Sequence, residues 1–468
     1  MLLNTFNKIS PDFLKELSSK LALDVLFSDR ESLFDYAHDY TEDLVFLPEI
    51  IAKPYTVEEV QWIVICCHKF MIPLTPRGAG TGLSGGALPV YGGLLLSLER
   101  MNKIIKVDEE NLQATVEPGV INEVLQQEVK RKNLFYPPDP ASKGSCSLGG
   151  NIAENAGGPK AVKYGVTSHY VLNLELVLPN GEIIWTGANT LKNATGLNLT
   201  QLVVGSEGTL GIVTKIVLKL IPLPQKNILL WVPFNNAIDA CEAVSAILKA
   251  GITPSCIEFM ERDALTCAYT FLRKNIDFDD EMNAVLLIEV DGNYEEQLLK
   301  DCEAISEITY QHHSKDVLLA DAYDQKEQWW KIRRCIGEAV KQLSIYKEED
   351  TVVPRAFLPQ LLQGVKEIGL HHGFRSVCFG HAGDGNLHVN ILRDALTDEQ
   401  WKLVESQGIR EIFALCKSLG GTISGEHGIG YVQKKYLDII FSETELNLMR
   451  SIKKVFDPTG IMNPGKAF

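Results

Sequence analysis

The sequence lacks the features that mark several common classes of protein. None of its ten cysteines forms a C-x-x-C pair, which argues against a disulfide framework and against an iron–sulfur cluster held by this chain. No apolar run approaches the roughly 18 residues that a membrane-spanning helix needs. Basic residues are in the minority, and the formal net charge of −15 makes a nucleic acid an unexpected partner.

The residue pattern at the N-terminus is not the one expected of a secretory signal. The stretch MLLNTFNKISPDFLKELSSK mixes apolar residues with charges of both signs, a pattern that favours a surface helix over the apolar core of a signal peptide. We therefore expect a cytoplasmic protein without a transmembrane segment, and docking at a membrane surface stays open. A length of 468 residues with 45% hydrophobic content fits two large globular domains or three average ones.

The order of predicted strands and helices divides the chain into three stretches and indicates an α+β protein. Residues 1–222 contain strands around glycine-rich loops and end with GTLGIVTKIVLKLIPLP. Residues 223–420 alternate strands and helices, which predicts a sheet with helices on one face. A long helix is expected there over roughly 321–343, around WWKIRRCIGEAVKQL. Residues 421–468 are predicted to end in a helix.

Three glycine-rich loops stand out in the first stretch: PRGAGTGLSGGALPV (76–90), SLGGNIAENAGGPKAVKYG (147–165) and GSEGTLGIV (205–213). The first contains G-x-G-x-x-G, but a Rossmann loop must open a helix. Here GGLLLSLER follows, which predicts a short buried strand. Such loops offer bare backbone N–H groups that can cradle a pyrophosphate without a helix. Tight turns between strands are the alternative.

Two further motifs contain clustered histidines and acids: FGHAGDGNLHVNI (379–391) and GTISGEHGIG (421–430). His381 and His388 flank a Gly-Asp-Gly turn, which can fold two short strands back so that both imidazoles converge. Glu426 and His427 are adjacent in a glycine-flanked loop. Two histidines and one carboxylate with an open position suit a catalytic zinc or another divalent metal. The spacing alone fits ordinary polar turn residues as well.

The motifs PRGAGTGLSGGA, PPDPASKGSCSLGGNIAENAGGPKAVKYG and GSEGTLGIVTKIVLKL, in this order, resemble the FAD-linked oxidase family, whose PCMH-type flavin domain is shared with vanillyl-alcohol oxidase. The resemblance reaches the C-terminus and is to members that oxidise 2-hydroxy acids: glycolate oxidase flavin subunits, D-lactate dehydrogenases and D-2-hydroxyglutarate dehydrogenases. It implies an FAD-binding domain of two α+β subdomains with an inserted α+β cap for the substrate. A C-terminal segment, VFDPTGIMNPGKAF, would return to the flavin domain.

The resemblance assigns FAD to the three glycine-rich regions and the C-terminal tail. The first loop would wrap the pyrophosphate with Pro76, Arg77, Gly78, Ala79, Gly80, Thr81, Gly82 and Ser84. The second region would line the flavin with Pro138, Asp139, Ser145, Gly149, Gly150, Asn151, Asn155, Gly158 and Tyr164. The remaining contacts would come from Glu207, Gly211, Ile212 and Asn463. Relatives with covalent flavin often have a histidine in the first loop. Residues 71–100 contain none, so we expect the FAD to be non-covalent.

The resemblance also implies a catalytic group beside the flavin. A divalent metal, expected to be zinc, would be bound by His381, His388 and Glu426. A neighbouring base corresponds to His427. The substrate would be contacted by Asn390, Arg333 and Lys347, of which the last aligns with the family's lysine after a one-residue gap.

These expectations fit the chemistry of a D-2-hydroxy acid dehydrogenase. The hydroxyl of such a substrate has a pKa near that of water, about 15.7, and a bound dication can lower it by many units. A histidine with a pKa of roughly 6.5 then suits the general base. Two alternatives remain: a flavoprotein of the same fold with another reaction, such as ether-lipid synthesis or amine or phenol oxidation, or a non-catalytic flavin- or metal-binding subunit of a larger complex.

The electron acceptor must lie outside this chain, because no cluster-binding cysteines occur in the sequence. A quinone, an electron-transfer flavoprotein, a partner iron–sulfur subunit or oxygen would each serve. A homodimer is compatible with the sequence.

Overall fold

The computed structural model describes residues 6–275 and 279–468, which form two compact units. The first unit comprises the described residues up to Ala156, then Val166–Leu223 and Glu426–Phe468. The second comprises Gly157–Gly165 and Pro224–Gly425. The sequence placed its boundaries near 222 and 420, and it did not anticipate that residues 157–165 belong to the second unit.

The first unit contains eleven named strands among the described residues. They are β1 (Leu26–Phe27), β2 (Ile50–Ala52), β3 (Leu74–Arg77), β4 (Leu94–Ser97), β5 (Ile104–Asp108), β6 (Gln113–Val116), β7 (Leu134–Phe135), β8 (Val171–Val177), β9 (Ile183–Trp185), β10 (Ile212–Lys219) and β11 (Ile221–Pro222). A four-stranded sheet has the order β1-β2-β4-β3 and a five-stranded sheet the order β5-β6-β10-β8-β9. In the first sheet β4 is parallel to both of its neighbours. The five-stranded sheet is antiparallel.

Helices of the first unit begin where the sequence offers caps. Thr56 accepts a hydrogen bond from the Glu59 N–H at the start of the helix Val57–Phe70, and Ser442 and Glu445 form a reciprocal capping box at the start of the last helix. Such caps satisfy backbone N–H groups that the helix leaves unpaired. The helices are α1 (Pro11–Ser18), α2 (Arg30–Asp35), α3 (Val57–Phe70), α4 (Asn122–Lys130), α5 (Leu148–Glu154), α7 (Leu199–Val203), α16 (Leu437–Ile440) and α17 (Glu443–Phe456), with α6 (Ala161–Tyr164) in the second unit.

The C-terminal tail returns to the core of the first unit, as the sequence predicted. Met462 forms a parallel bridge with Leu74 of β3, and the N–H of Asn463 donates to the Leu74 carbonyl at 2.8 Å. The side chains of Ile461 and Met462 are buried in the same core cluster as Leu74. The helix expected near the N-terminus is α1, while residues 1–5 lie outside the described part of the chain.

The second unit is built on a seven-stranded antiparallel sheet of order β15-β12-β14-β13-β17-β18-β16. Its strands are β12 (Lys226–Phe234), β13 (Cys256–Glu261), β14 (Ala284–Gly292), β15 (Leu318–Ala320), β16 (Tyr346–Val352), β17 (Arg375–Gly380) and β18 (Asn386–Leu392). Its helices after α6 are α8 (Ala237–Lys249), α9 (Arg262–Phe271), α10 (Glu295–Gln311), α11 (Tyr323–Arg334), α12 (Ile336–Lys341), α13 (Leu358–His372), α14 (Asp398–Leu403) and α15 (Ile409–Ser418).

Helices cover both faces of this sheet, so the expectation of helices on one face is wrong. Every residue of β13 and β18 is buried, which requires cover on both sides because successive side chains point to opposite faces. One face packs in a core cluster with side chains of α9, α11 and α12. The opposite face is covered by α8 and α10.

The long helix expected over 321–343 is interrupted at Cys335. The backbone of Cys335 has φ −85° and ψ −5°, which ends α11 before α12 begins. Arg333 therefore lies in the last turn of α11. Among the described helices, none is both long and apolar enough to cross a bilayer.

Candidate functional site

In the first unit the glycines of the first loop permit close packing. Gly80 has φ +73°, and a Cβ there would clash with the Arg77 guanidinium. A Cβ on Gly78 would clash with Ser147 Oγ, so the first loop lies directly against the start of the second. Within the described residues 78–93 there is no helix, which confirms that the G-x-G-x-x-G match is not a Rossmann loop.

Buried polar atoms around this loop fit an anionic cofactor. Arg77 Nη1 and Ser84 Oγ are buried and have no hydrogen-bond partner. An unsatisfied buried donor costs roughly 1–3 kcal/mol, and guanidinium and hydroxyl donors suit phosphate oxygens. A Cβ on Gly82 would meet nothing within 4 Å, so the same loop borders open space. The residues present in the first loop therefore fit the pyrophosphate of FAD.

The second region has mixed roles, because several of its predicted contact residues are held in protein–protein hydrogen bonds. Asn151 Nδ2 donates to Asn122 Oδ1 at 3.1 Å. Asn155 ends α5 with φ 54° and accepts from the Ser168 N–H at 2.9 Å. These two side chains position the loop. The other residues of the group lie as follows: the Pro138 carbonyl accepts from Asn122, Asp139 pairs with Lys143, Ser145 is exposed, and Gly149 and Gly150 lie in the first turn of α5.

Gly158 and Tyr164 belong to the second unit, where the Tyr164 hydroxyl donates to Asp291 Oδ2 at 2.8 Å. Lys163 Nζ lies 2.5 Å from the other oxygen of the same carboxylate. The side chain of Tyr164 is thus used to hold the segment 157–165 against β14.

Within the first unit, hydrogen bonds join the third glycine-rich region (205–213) to residues 429–430 and to the C-terminal tail, and we call this arrangement the clasp. The Glu207 carboxylate accepts from the N–H groups of Ile429 and Gly430 at 2.9 and 2.7 Å. Asn463 Nδ2 donates to the carbonyls of Glu207 and Gly86 at 2.7 and 3.1 Å. Asn463 was predicted to approach the flavin ring. Its amide joins three chain segments, because a buried amide needs partners of its own, and the approach to the flavin ring stays a prediction.

Gly211 and Ile212 were predicted to pack by the adenosine half of FAD. Gly211 precedes β10, where a Cβ would lie 2.9 Å from the Val177 carbonyl. The Ile212 side chain is buried in the main core of the first unit. Their positions are therefore explained by sheet packing.

The sequence did not predict the buried cluster of charged residues that lies beside this clasp. Burial raises the pKa of Glu154 well above its usual range, and the nearby Glu207 carboxylate raises it further. Burial lowers the pKa of Lys466 to about 7, and its Nζ donates to Gly86 O and to Asn463 Oδ1, each at 2.8 Å. The sequence signal was weak: one acid in the apolar stretch NIAENAGG and one lysine in a polar tail.

In the second unit the predicted turn brings both histidines together. His381 follows β17 and His388 lies in β18, with Gly385 between them at φ +75°. A Cβ on Gly385 would clash with the Val353 carbonyl, so the turn needs glycine. The two imidazole centroids are 5.2 Å apart, and a ring nitrogen of each lies within 4.8 Å of the other. Both side chains are buried.

Each imidazole is backed by a carboxylate. His381 Nδ1 lies 2.8 Å from Glu258 Oε1, and His388 Nδ1 lies 3.5 Å from Asp350 Oδ1. Burial alone would raise the pKa of Glu258, but Arg333 and His381 hold it below its usual range. The Glu258 carboxylate, which is hydrogen-bonded to Nδ1 of His381, leaves Nε2 of that ring available to a metal, an arrangement common among histidine ligands, while the Asp350 oxygen lies at ion-pair distance from His388. The pair therefore fits two ligands of a divalent ion.

Asp350 also fixes the chain just before Glu426. Its Oδ2 accepts from Ser424 Oγ at 3.0 Å and from the Gly425 N–H at 2.7 Å, and its Oδ1 accepts from Asn386 Nδ2 at 2.7 Å. The next Cα, that of Glu426, follows at about 3.8 Å along the chain. Glu426 and His427 begin the last segment of the first unit, two residues ahead of the N–H groups that bind Glu207.

Two predicted substrate residues lie near the histidine pair. Arg333 is buried, with Nη2 2.6 Å from Glu258 Oε2, and its Nε has no hydrogen-bond partner. Asn390 pairs with Val377 across the sheet, two residue pairs beyond His388 and thus on the same face. Its side-chain Oδ1 is fully buried without a partner. Such unsatisfied atoms are suited to accept or donate to a ligand.

Lys347 is not brought to this site, which corrects its assignment. In β16, Glu348 pairs with Asn390 and Asp350 with His388, so both acids share the face of the histidine. Lys347 pairs with Ile391 and points to the opposite face, because side chains alternate along a strand. Its Nζ lies 3.8 Å from a Glu405 oxygen.

Three acids of the site were missed: Glu258, Glu348 and Asp350. Glu258 is a charged residue in the otherwise apolar run SCIEFM, which is a usable signal for a buried functional acid. The other two lie in YKEEDTV, where only the strand register shows which acids face His388.

The fold and the sequence together define a flavin-binding oxidoreductase. Residues 48–187 match the FAD binding domain and residues 223–467 match the C-terminal domain of FAD linked oxidases. The chain belongs to the FAD-linked oxidase family, with the PCMH-type fold that the sequence predicted, and it is an FAD-linked oxidoreductase.

Several proteins that are similar in sequence have names that refer to hydroxy acids. The chain is 38% identical to a D-lactate dehydrogenase of Anaerostipes hadrus over 98% of both chains. It is 39% identical to the glycolate oxidase subunit GlcD of Bacillus subtilis over 92% of both. The solved p-cresol methylhydroxylase with bound substrate has a TM-score of 0.80 at 18% identity, covering 97% of this chain and 96% of that one. This last likeness shows the fold alone.

Proposed function

We propose that this protein oxidises a D-2-hydroxy acid to the 2-oxo acid, with non-covalently bound FAD as the immediate electron acceptor. The observation that carries the proposal is the pair of buried, carboxylate-backed histidines beside the buried guanidinium of Arg333. That the relatives are named D-lactate dehydrogenase and glycolate oxidase supports the substrate class.

His381, His388 and Glu426 are the proposed ligands of a divalent metal, with zinc as the expected ion. The hydrogen bond between Nδ1 of His381 and Glu258 and the Asp350 oxygen 3.5 Å from Nδ1 of His388 support the histidines. The anchoring of Gly425 by Asp350 supports Glu426. When bound, such an ion lowers the pKa of a coordinated hydroxyl. Two histidine nitrogens and one carboxylate oxygen are ligands that suit zinc.

The remaining roles follow from the chemistry of the side chains. Arg333 offers a planar fork that can bind the substrate carboxylate in a bidentate manner. Asn390, with its buried and unsatisfied Oδ1, orients the substrate. His427 accepts the hydroxyl proton, since an imidazole is the side chain that most often serves as a general base. FAD, when bound, accepts the hydride from C2 of the substrate.

An acceptor outside this chain would reoxidise the bound cofactor. The Bacillus relative is named a subunit, which supports transfer to a partner subunit. A quinone, an electron-transfer flavoprotein or oxygen would fill the same role.

An anaerobic substrate screen tests this proposal. The purified yellow protein is mixed with glycolate and with both enantiomers of lactate, 2-hydroxybutyrate and 2-hydroxyglutarate while the visible flavin absorbance is followed. We expect bleaching by at least one hydroxy acid and, for chiral ones, by the D enantiomer. A protein that contains FAD and is bleached by none of them does not have this function.

A further inference from the structure

Glu154 presents an unsatisfied carboxyl group inside the first unit. It is the last residue of α5, the helix whose first turn contains Gly149 and Gly150. Within the described part of the chain, its Oε2 atom is buried and has no hydrogen-bond partner. Burial is the main cause of its raised pKa, yet the residue as a whole is only half-buried. A side chain that lies deep in a protein and still has accessible surface lines an opening of the kind that ligands occupy.

The first glycine-rich loop borders this opening as well. A Cβ on Gly86 would lie 3.0 Å from Glu154 Oε1 and 3.8 Å from Ser84 Oγ, so both side chains approach the same glycine. A Cβ on Gly428 would clash with Glu154 Oε2, and one on Gly430 would lie 2.6 Å from Ser84 Oγ. Among the described residues, Ser84 Oγ has no hydrogen-bond partner either. Two unsatisfied polar groups therefore lie beside the loop whose donors fit the pyrophosphate of FAD, where glycines keep other side chains away.

The charged groups around Glu154 favour its neutral form. After burial, the causes that raise its pKa are the carboxylates of Glu207 and Asp39, while Lys466 lowers it. Two backbone N–H groups donate to Glu207, which favours the charged form of that residue. Asp39 interacts with the charge of Arg77, and Lys466 Nζ donates to neutral oxygen atoms of the loop and the tail. Of the two neighbouring glutamates, Glu154 is therefore the one that holds a proton.

The protonation state decides how Glu154 can interact with a cofactor. A neutral carboxyl group has an O–H that donates a hydrogen bond, whereas an ionised one only accepts. FAD offers acceptors in its phosphate oxygens and in the oxygen and nitrogen atoms of its flavin ring. An ionised carboxylate beside the first loop would instead repel the negative charge of the pyrophosphate.

We propose that Glu154 is a cofactor-binding residue, which donates a hydrogen bond to FAD as an uncharged carboxylic acid. Glu154 is not among the residues that the family resemblance assigns to FAD. The inference requires bound FAD, but it requires neither the proposed metal nor the proposed substrate. If no hydroxy acid bleached the flavin, the proposed function would fail and the role of Glu154 would stand.

The affinity for FAD tests this role. Full-length holoprotein is diluted in a series, and the released FAD is measured by its fluorescence. Glu154→Gln keeps a hydrogen-bond donor, so we expect its Kd for FAD to stay close to that of the wild type. Glu154→Met fills similar space without a donor, and its Kd should rise by about 10-fold, roughly the worth of one hydrogen bond. If this variant does not fold, Glu154→Leu takes its place.

The matched controls are Glu109→Gln and Glu109→Met. Glu109 is an exposed glutamate of the same unit, and its carboxylate pairs with Lys132 at 2.6 Å. Both changes should keep the wild-type Kd. A wild-type Kd in Glu154→Met would give Glu154 a purely structural role, and tighter binding of FAD in both Glu154 variants would show an ionised, repelling carboxylate. Either result would overturn the proposal.

Two further measurements locate the acceptor atom. If it is a phosphate oxygen, Glu154→Met also weakens the binding of ADP to FAD-depleted protein, because ADP shares the pyrophosphate. If it belongs to the flavin ring, the reduction potential and the visible absorption of the bound flavin shift in Glu154→Met and the binding of ADP is unchanged. A raised Kd for FAD with neither change would mean an indirect effect and would overturn the proposal.

Discussion

At the scale of single residues, the candidate site consists of charged groups that are buried with their partners. Arg333 and Glu258 lie 2.6 Å apart, and Glu258 in turn lies 2.8 Å from His381. Asp350 serves three donors and faces His388. Removing one member of such a group leaves its partner buried and uncompensated, which is costly.

Arg333→Met should therefore have two effects. We expect KM for the hydroxy acid to rise, with a loss of about 2–3 kcal/mol in substrate binding as for a charged hydrogen bond. Thermal stability should also fall, because Glu258 would lose its cation. Steady-state kinetics and thermal melts measure both.

Arg334→Met is the control for Arg333→Met, since its more exposed guanidinium lies 3.6 Å from Glu327, away from the histidine pair. It should keep the wild-type KM. If Arg333→Met also kept the wild-type KM, its role in binding the carboxylate would be refuted.

Asp350→Asn should weaken metal binding by roughly 10- to 100-fold, the usual effect of removing a group that orients a ligand. The change would release both His388 and the Gly425 N–H, while the flavin loop in the other unit is untouched. The metal content per chain reports the metal site, and the FAD content per chain reports the flavin loop separately. Asp398→Asn, which alters the partner of Arg393, should change neither. Loss of FAD with retention of metal in Asp350→Asn would contradict the account.

At the scale of elements, the β17–β18 turn decides whether the histidines meet. The sequence predicted this turn from HAGDGNLH, because glycines at fixed offsets specify a tight reversal. The prediction that Lys347 contacts the substrate failed because of the strand register. An alignment that slips by one residue moves a side chain to the other face of a strand, and no composition or spacing in YKEEDTV reveals the register. The pairing of β16 with β18 reveals the register.

Gly385→Ala should disrupt this turn. The residue has φ +75°, and the new methyl group would meet the Val353 carbonyl, so we expect a clear loss of stability together with loss of metal. The matched control is Gly337→Ala in α12, where the methyl group would meet nothing within 4 Å. That change should stabilise the protein by about 0.5–1 kcal/mol. Chemical denaturation of both variants measures the difference. Equal stability of the Gly385→Ala and Gly337→Ala variants would contradict the inference that the turn requires glycine at position 385.

At the scale of the whole molecule, the sequence predicted the family, the α+β fold and the return of the C-terminal tail, because all three depend on long motifs. It could not predict that Asn463 and Glu207 hold the tail in place, or that Lys466 is buried among acids. Those contacts join residues more than 200 positions apart, and a single sequence contains no local trace of them.

The buried acid of the first unit predicts a pH dependence of stability. The pKa of Glu154 is raised in the folded protein by burial and then by Glu207. Its contribution to stability is therefore full below its unfolded pKa of roughly 4.3 and is lost as pH rises toward its folded pKa. In holoprotein melts, Glu154→Gln should gain stability relative to wild type between about pH 5 and pH 8. A difference in Tm that stays constant with pH would contradict this.

Metal dependence of flavin reduction is the most direct test of the central claim. Metal-replete and chelator-treated holoprotein, both still containing FAD, are mixed anaerobically with D-lactate or L-lactate, and the flavin absorbance is followed. We predict rapid bleaching only with the D enantiomer and only in the metal-replete sample, with recovery when zinc is restored. Equal bleaching of the metal-free protein would contradict the account.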